Sequence, residues 1–146
     1  MKFWDSSAIV PLIVPENTTD IVKAIAAEDC NLVYWWGAPV ECCSTFARLR
    51  REGHLTVAKE QVCRAQLDDM VEYWAEVEPS SEVRACARRL LLRHALRAAD
   101  SLQLAAALTW AGPQTEGAEF VCLDRRLRDA AAAEGFTILP ADMPSV

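Results

Sequence analysis

The sequence predicts an α/β protein, a three-layer α/β/α domain built on a four- or five-stranded parallel sheet. Two observations carry that reading. Short apolar, β-branched or aromatic runs alternate with longer amphipathic stretches along the whole chain. The strand candidates are separated by one or two helices rather than by tight turns, so they need crossover connections and pair in parallel. No internal repeat, low-complexity block or long linker interrupts the pattern. A single domain over residues 1–146 is expected, long enough to bury roughly 70% of its unfolded surface without staples.

Lys2 to Trp4 reads as a short strand leading into Asp5. Ser6 to Val14 reads as a helix that stops before Pro15. Thr18 to Glu28 is an amphipathic helix with Ile21, Val22 and Ile25 on one face. Asn31 to Trp36 is β-branched and aromatic, a strand punctuated by Gly37-Ala38-Pro39. Pro39 suits the first turn of a helix, which runs to about Glu52 and stops at Gly53. Thr56 to Ala75 reads as one long helix and Glu76 to Glu78 as a short strand ending at Pro79. Ser81 is placed as the N-cap of a helix reaching Leu96. Ala99 to Ala111 is a further helix, closed by Gly112-Pro113. Glu119 to Leu123 is a strand, Arg125 to Glu134 a helix ended by Gly135, and Phe136 to Leu139 a last strand.

Composition removes whole classes of function. Hydrophobic residues make up 52% and charged residues 25%, which excludes wholesale disorder. Acids outnumber bases 21 to 15, for a net charge of −6, so no broad basic coat for nucleic acid exists. The six cysteines form no C-x-x-C pair, and His54 and His94 lie far from zinc-like spacing. The cysteines read as small hydrophobes in a reducing compartment. Asp5 and Pro11 break any signal-peptide core, and the longest clean apolar run, Ala8 to Val14, is far too short for a membrane span. A cytoplasmic protein without a membrane segment is expected.

Four carboxylates are predicted to meet at one edge. Asp5 and Asp124 each end a strand, Glu41 sits in the first turn of the helix after the second strand, and Asp100 opens the helix through Leu102, Leu104 and Leu108. In a parallel α/β sheet a helix begins where its preceding strand ends, so these positions share the carboxyl edge, where such sheets bind ligands. Asp100 joins them only if the preceding helix is offset or returns along its partner. Each acid alone is explained by helix capping. Their conjunction is not, because capping does not require all four beside strand ends. Convergent carboxylates repel unless cations neutralise them, and their oxygens suit Mg²⁺ or Mn²⁺ rather than zinc. One or two such ions are machinery for phosphodiester hydrolysis.

Four segments carry a family resemblance: Phe3-Trp4-Asp5-Ser6-Ser7-Ala8, Pro39-Val40-Glu41, Leu96-Arg97-Ala98-Ala99-Asp100-Ser101-Leu102-Gln103-Leu104-Ala105-Ala106, and Val121-Cys122-Leu123-Asp124-Arg125-Arg126-Leu127. In order and spacing the chain resembles PIN-domain nucleases over nearly its whole length, and in size a toxin of the VapC type, the nuclease half of a bacterial toxin–antitoxin pair. The resemblance implies a Mg²⁺- or Mn²⁺-dependent endoribonuclease with Asp5, Glu41, Asp100 and Asp124 as metal-holding catalytic residues. Of these Asp124 is the most variable position in the family. It also implies an RNA substrate, a cognate VapB-type antitoxin covering the acidic site, and a homodimer. Ser7 supports the site by a hydrogen bond or is an ordinary first-turn serine. The segment Trp35-Trp36-Gly37-Ala38-Pro39 departs from the pattern by lacking Ser or Thr.

Twelve of the fifteen basic residues are arginines, which suit bidentate phosphate contacts. Arg89, Arg93 and Arg97 recur every four residues toward Asp100, and Arg125 and Arg126 follow Asp124 directly. These are the candidate RNA contacts. The opposing reading is a solvated face neutralised by an acidic stripe of Asp68, Glu72 and Glu76. His94 is read as a surface or hydrogen-bonded histidine rather than a general base. Trp4, Trp35 and Trp36 are expected in or near the core, with Trp74 and Trp110 on helices where a partner could meet them.

Two other function classes compete. A phosphate-handling receiver or phosphatase domain also places Asp at strand ends. The lysines, only Lys2, Lys23 and Lys59, are badly placed for it, no Asp-x-Asp follows the first strand, and no P-loop motif occurs. A catalytically silent interaction module of the same fold is the remaining alternative, and retention of all four acids argues against it.

Overall fold

The structure is a computed structural model and describes residues 1–144. In chain order its elements are β1 (Lys2–Trp4), α1 (Ser6–Ile13), α2 (Thr19–Glu28), β2 (Leu32–Trp35), α3 (Ala38–Arg51), α4 (Val57–Val71), β3 (Ala75–Val77), α5 (Ser81–Arg93), α6 (Ala98–Ala111), β4 (Glu119–Val121), α7 (Arg125–Ala133) and β5 (Thr137–Leu139). The strands form one five-stranded sheet in the order β3-β2-β1-β4-β5, every pair parallel. Of the sequence-predicted domain span 1–146, residues 145 and 146 lie outside those described.

Side chains alternate across the sheet, as strand geometry requires. Phe3, Val33, Trp35 and Phe120 face one layer, where they pack with Val83, Leu90, Leu104 and Leu127 of α5, α6 and α7. Trp4, Leu32, Tyr34 and Val121 face the other, packing with Ile9, Val22, Phe46 and Leu67 of α1 to α4. That division follows from handedness. The chain steps from β1 to β2 to β3 with helices on one face, then returns to β4 and β5 with helices on the opposite face, which keeps the crossovers right-handed. The direction therefore reverses between β1 and β4, and the crevice at their carboxyl ends is the switch point.

The structure corrects several sequence readings. The long helix predicted to Ala75 stops at Val71, and Ala75 already pairs with Val33 in β3. Glu76 is a strand residue accepting from Tyr34 Oη at 3.0 Å, so Asp68, Glu72 and Glu76 do not form a helical stripe. Ser80, not Ser81, caps α5, its Oγ accepting from Val83 N at 3.1 Å. That helix ends at Arg93, because extended backbone at His94 turns the chain back so that α6 can start at the carboxyl edge. The four-residue arginine series therefore breaks before Arg97, which becomes the N-cap residue of α6. Trp36 is 52% exposed, since the strand ends before it, and Trp74 lies in a turn edge-on to Tyr34. Trp110 does lie on a helix, but it packs toward Phe3. All six cysteines are free; Cys42, Cys63 and Cys122 are buried and Cys30 is exposed.

Candidate functional site

Asp5 follows β1 and is 3% exposed. Its backbone N–H continues the sheet ladder to Val121 O at 3.0 Å, and its side chain caps α1. Its side-chain hydrogen bonds converge on Oδ2: Ser7 N at 3.2 Å, Ser7 Oγ, and Cys122 Sγ at 3.5 Å. The other carboxylate oxygen receives no donor among the described residues. Burial pushes the Asp5 carboxyl above its ordinary range, opposed by the Ser7 bonds.

Ser7 spans the crevice between β1 and β4. While donating to Asp5, its Oγ accepts from Leu123 N at 2.9 Å and from Asp124 N at 3.3 Å. One hydroxyl thus ties the turn after β4 to the carboxylate after β1, so Ser7 makes the hydrogen bond to Asp5 that one of the two sequence readings expected. Asp124 is exposed and caps α7, its Oδ2 accepting from Leu127 N at 3.0 Å.

Glu41 behaves differently. It lies in the first turn of α3, yet its carboxylate caps nothing. Its Oε1 accepts from Ser6 Oγ at 3.3 Å and its Oε2 from Gln103 Nε2 at 2.8 Å. Gly37, the N-cap residue of α3, leaves no room for a side chain, because a Cβ there would fall 2.5 Å from Trp35 Nε1. Burial first, then the charge of Asp5, lifts the Glu41 pKa from 4.5 to about 7, against the lowering effect of Gln103 and Ser6. Asp100, at the third position of α6, is raised by burial and by Asp124, and held down by the Arg97 backbone and by the charges of Arg97 and Arg126. The charges of Asp5 and Asp100 both raise Glu41, and that of Asp124 raises Asp100. Among the described residues no three Asp, Glu, His or Cys side chains close into a ready-made metal cage. An all-oxygen set that leaves room for water is nonetheless how Mg²⁺ is commonly held, through one or two carboxylates with waters completing the octahedron.

The predicted arginines separate into groups. Arg97 and Arg126 lie close enough to Asp100 to stabilise its charge. Arg93 and Arg126 line a shallow recess of about 470 Å³ with His94, Ala95, Leu96, Asp129 and Ala130. Arg93 also pairs with Glu134 at 3.5 Å, and His94 Nε2 meets the same carboxylate at 2.7 Å, so His94 is hydrogen-bonded as expected. Arg125 is exposed in the first turn of α7. Arg89 instead lines an exposed recess on α5 with Ala85, Arg88, Leu91 and Leu92. Arg128 is structural: its guanidinium donates to Cys122 O and Pro140 O, each at 2.8 Å, and fastens the end of β4 to the chain after β5.

Sequence reasoning assigned no role to Ser6 or Gln103. Ser6 carries no distinguishing signal. Gln103 does: it is the one polar side chain within the apolar run Leu102 to Leu108 of α6, and it is fully buried.

No protein-family model matches the chain. Two curated relatives do. The chain is 30% identical over 151 aligned residues to ribonuclease VapC45 of Mycobacterium tuberculosis strain CDC 1551, covering 98% of this chain and 97% of the relative. The same figures hold for ribonuclease VapC49 of strain H37Rv. Among solved structures, FitAcB from Neisseria gonorrhoeae superposes with a TM-score of 0.68 at 15% identity, over 97% of this chain and 98% of that one. Mycobacterium tuberculosis VapC20, described as a toxin that cleaves the sarcin–ricin loop, superposes with a TM-score of 0.66 at 17% identity, over 99% of this chain and 100% of that one. The structural likenesses establish the PIN-like fold. With the two relatives aligned over nearly their full length, the chain belongs to the VapC ribonuclease family.

Proposed function

We propose that this chain is a Mg²⁺- or Mn²⁺-dependent endoribonuclease, the toxin of a toxin–antitoxin pair. The observation that carries the reading is Glu41. A first-turn glutamate that caps nothing, is half-buried, and is held by Ser6 and Gln103 beside Asp5 and Asp100 has a use other than helix stability. Asp5, Glu41, Asp100 and Asp124 are the residues that would hold one or two ions. Such an ion would offset their repulsion, acidify a water and steady the leaving oxygen.

The chain's own groups do the positioning. Ser7 orients Asp5 and leaves one carboxylate oxygen without a protein donor. Arg97 and Arg126 place positive charge beside Asp100, where a scissile phosphate would lie. Arg93 and Arg125 extend that charge to either side, so an RNA strand can be held although the whole chain carries −6. Arg89, on its separate recess, has a weaker claim to RNA. Trp36 and Val40 stand exposed close to Glu41 in sequence and offer apolar surface for the cognate VapB-type antitoxin. A homodimer through helices of the N-terminal half completes the reading. Among the described residues no helix is long and apolar enough to cross a membrane.

The test is cleavage of total bacterial RNA by the purified chain, free of partners, with Mg²⁺ or Mn²⁺ and then EDTA, beside Asp100→Asn. Discrete cleavage that requires metal, vanishes in the variant and leaves 5′-phosphate and 3′-hydroxyl ends is expected. Activity surviving EDTA, or a 2′,3′-cyclic phosphate at the cut, would overturn the mechanism. A folded chain that neither cleaves nor binds metal would favour the silent interaction module.

A further inference from the structure

Gln103 is a buried polar side chain in an otherwise largely apolar helix face. It is 0% exposed on α6, whose other buried positions are Ser101 and the apolar Leu104, Ala105, Ala106 and Ala107. Its Nε2 donates to Glu41 Oε2 at 2.8 Å, while its buried Oε1 has no hydrogen-bond partner among the described residues. A buried amide with an orphaned acceptor costs stability that a leucine of similar volume would not. The bond also has an unusual path. Glu41 belongs to α3, packed on one face of the sheet, and Gln103 to α6, packed on the other. It therefore crosses the carboxyl edge and links the two helical layers beside Glu41.

We infer that Gln103 is a positioning residue. Its amide, seated in a rigid apolar wall and three residues from Asp100 on the same helix, fixes the Glu41 carboxylate across the sheet edge so that Glu41 and Asp100 can serve one cation together. This rests on the metal-dependent reading above. A ligating carboxylate is free to rotate unless an outer partner holds it, and loss of such a partner weakens metal affinity by about 10- to 100-fold. Ser6 supplies only the longer 3.3 Å contact to the other oxygen and cannot replace it.

The test uses the full chain, with free Mn²⁺ followed by electron paramagnetic resonance and melting followed in EDTA. Gln103→Leu and Gln103→Met both remove the donor and the orphaned acceptor while keeping the volume. The expected result is Mn²⁺ dissociation constants raised tenfold or more in variants that still melt cooperatively in EDTA. In a Glu41→Gln background the same substitutions should add less than twofold, since the effect passes through Glu41. Mn²⁺ affinity within twofold of wild type in a folded variant overturns the proposal. So does an equal loss of affinity in the Glu41→Gln background, which would make Gln103 a packing residue acting independently of Glu41. A wild-type chain that binds no Mn²⁺ refutes the metal reading itself and is distinguishable from either outcome.

Discussion

Replacing Glu41 by glutamine should make the metal-free protein more stable at pH 8. The folded chain raises this carboxyl from 4.5 to about 7, chiefly by burial and by Asp5. At about 1.4 kcal/mol for each tenfold change in proton affinity, ionising it in place costs about 3 kcal/mol. The group retains some solvent contact, so about half of that, ~1.5 kcal/mol, is the working figure. Hydrogen bonding changes little, because the replacing amide can still accept from Gln103 and can donate to the Ser6 hydroxyl. The sign follows from linkage: the folded state holds the proton more tightly than the unfolded one, so wild-type stability falls as pH climbs from 4.5 to about 7 and is level above. Glu41→Gln escapes that loss. Its advantage should be absent below about pH 4.5 and complete by pH 8, where a chain of this size should melt about 3–6 °C higher. Thermal melts in EDTA across that range measure it, and Mg²⁺ should then narrow the gap by stabilising wild type more than the variant. An offset that is negative at pH 8, or independent of pH, would refute the picture of Glu41 as a penalised member of a carboxylate group.

The remaining predictions concern groups around it. Ser7→Ala strips the partner from Leu123 N and Asp124 N and a donor from Asp5, and should cost about 2–3 kcal/mol in urea unfolding along with most RNA cleavage; a loss below about 0.5 kcal/mol would count against the bridging role. Arg128→Ala removes two bonds to backbone carbonyls and should lower stability by about 2 kcal/mol while leaving Mn²⁺ affinity intact. Arg126→Ala should do the reverse, changing stability by less than about 0.5 kcal/mol but flattening the log–log salt dependence of RNA binding by about 0.7. An unchanged salt slope would remove Arg126 from the RNA path.

How far the sequence reached depended on whether a property was local. The strands at Lys2–Trp4 and Glu119–Val121 were readable because apolar runs ended at Asp and helical periodicity followed. Element ends were less legible: the stop at Val71 rather than Ala75 depends on Ala75 pairing with Val33, a partner distant in sequence. The same cause undid the arginine series, since only the return of α5 onto α6 moves Arg97 off the first helix and onto the cap of the second.

The sequence by itself determined the layered α/β class, the acids at the ends of strands and starts of helices, and the likeness to PIN-domain nucleases. Periodicity and capping chemistry act over a few residues and are written in order along the chain. Only the tertiary structure decided which of those acids cap helices and which are held by side chains from other elements. Asp5 caps its helix and is also gripped from across the crevice; Glu41 is gripped by Ser6 and Gln103 and caps nothing. That distinction rests on burial and on hydrogen bonds between residues 35 and 62 positions apart. Spacing along a single chain carries no record of such pairs, because they form only when the sheet's reversal at β1 and β4 brings opposite helical layers to one edge.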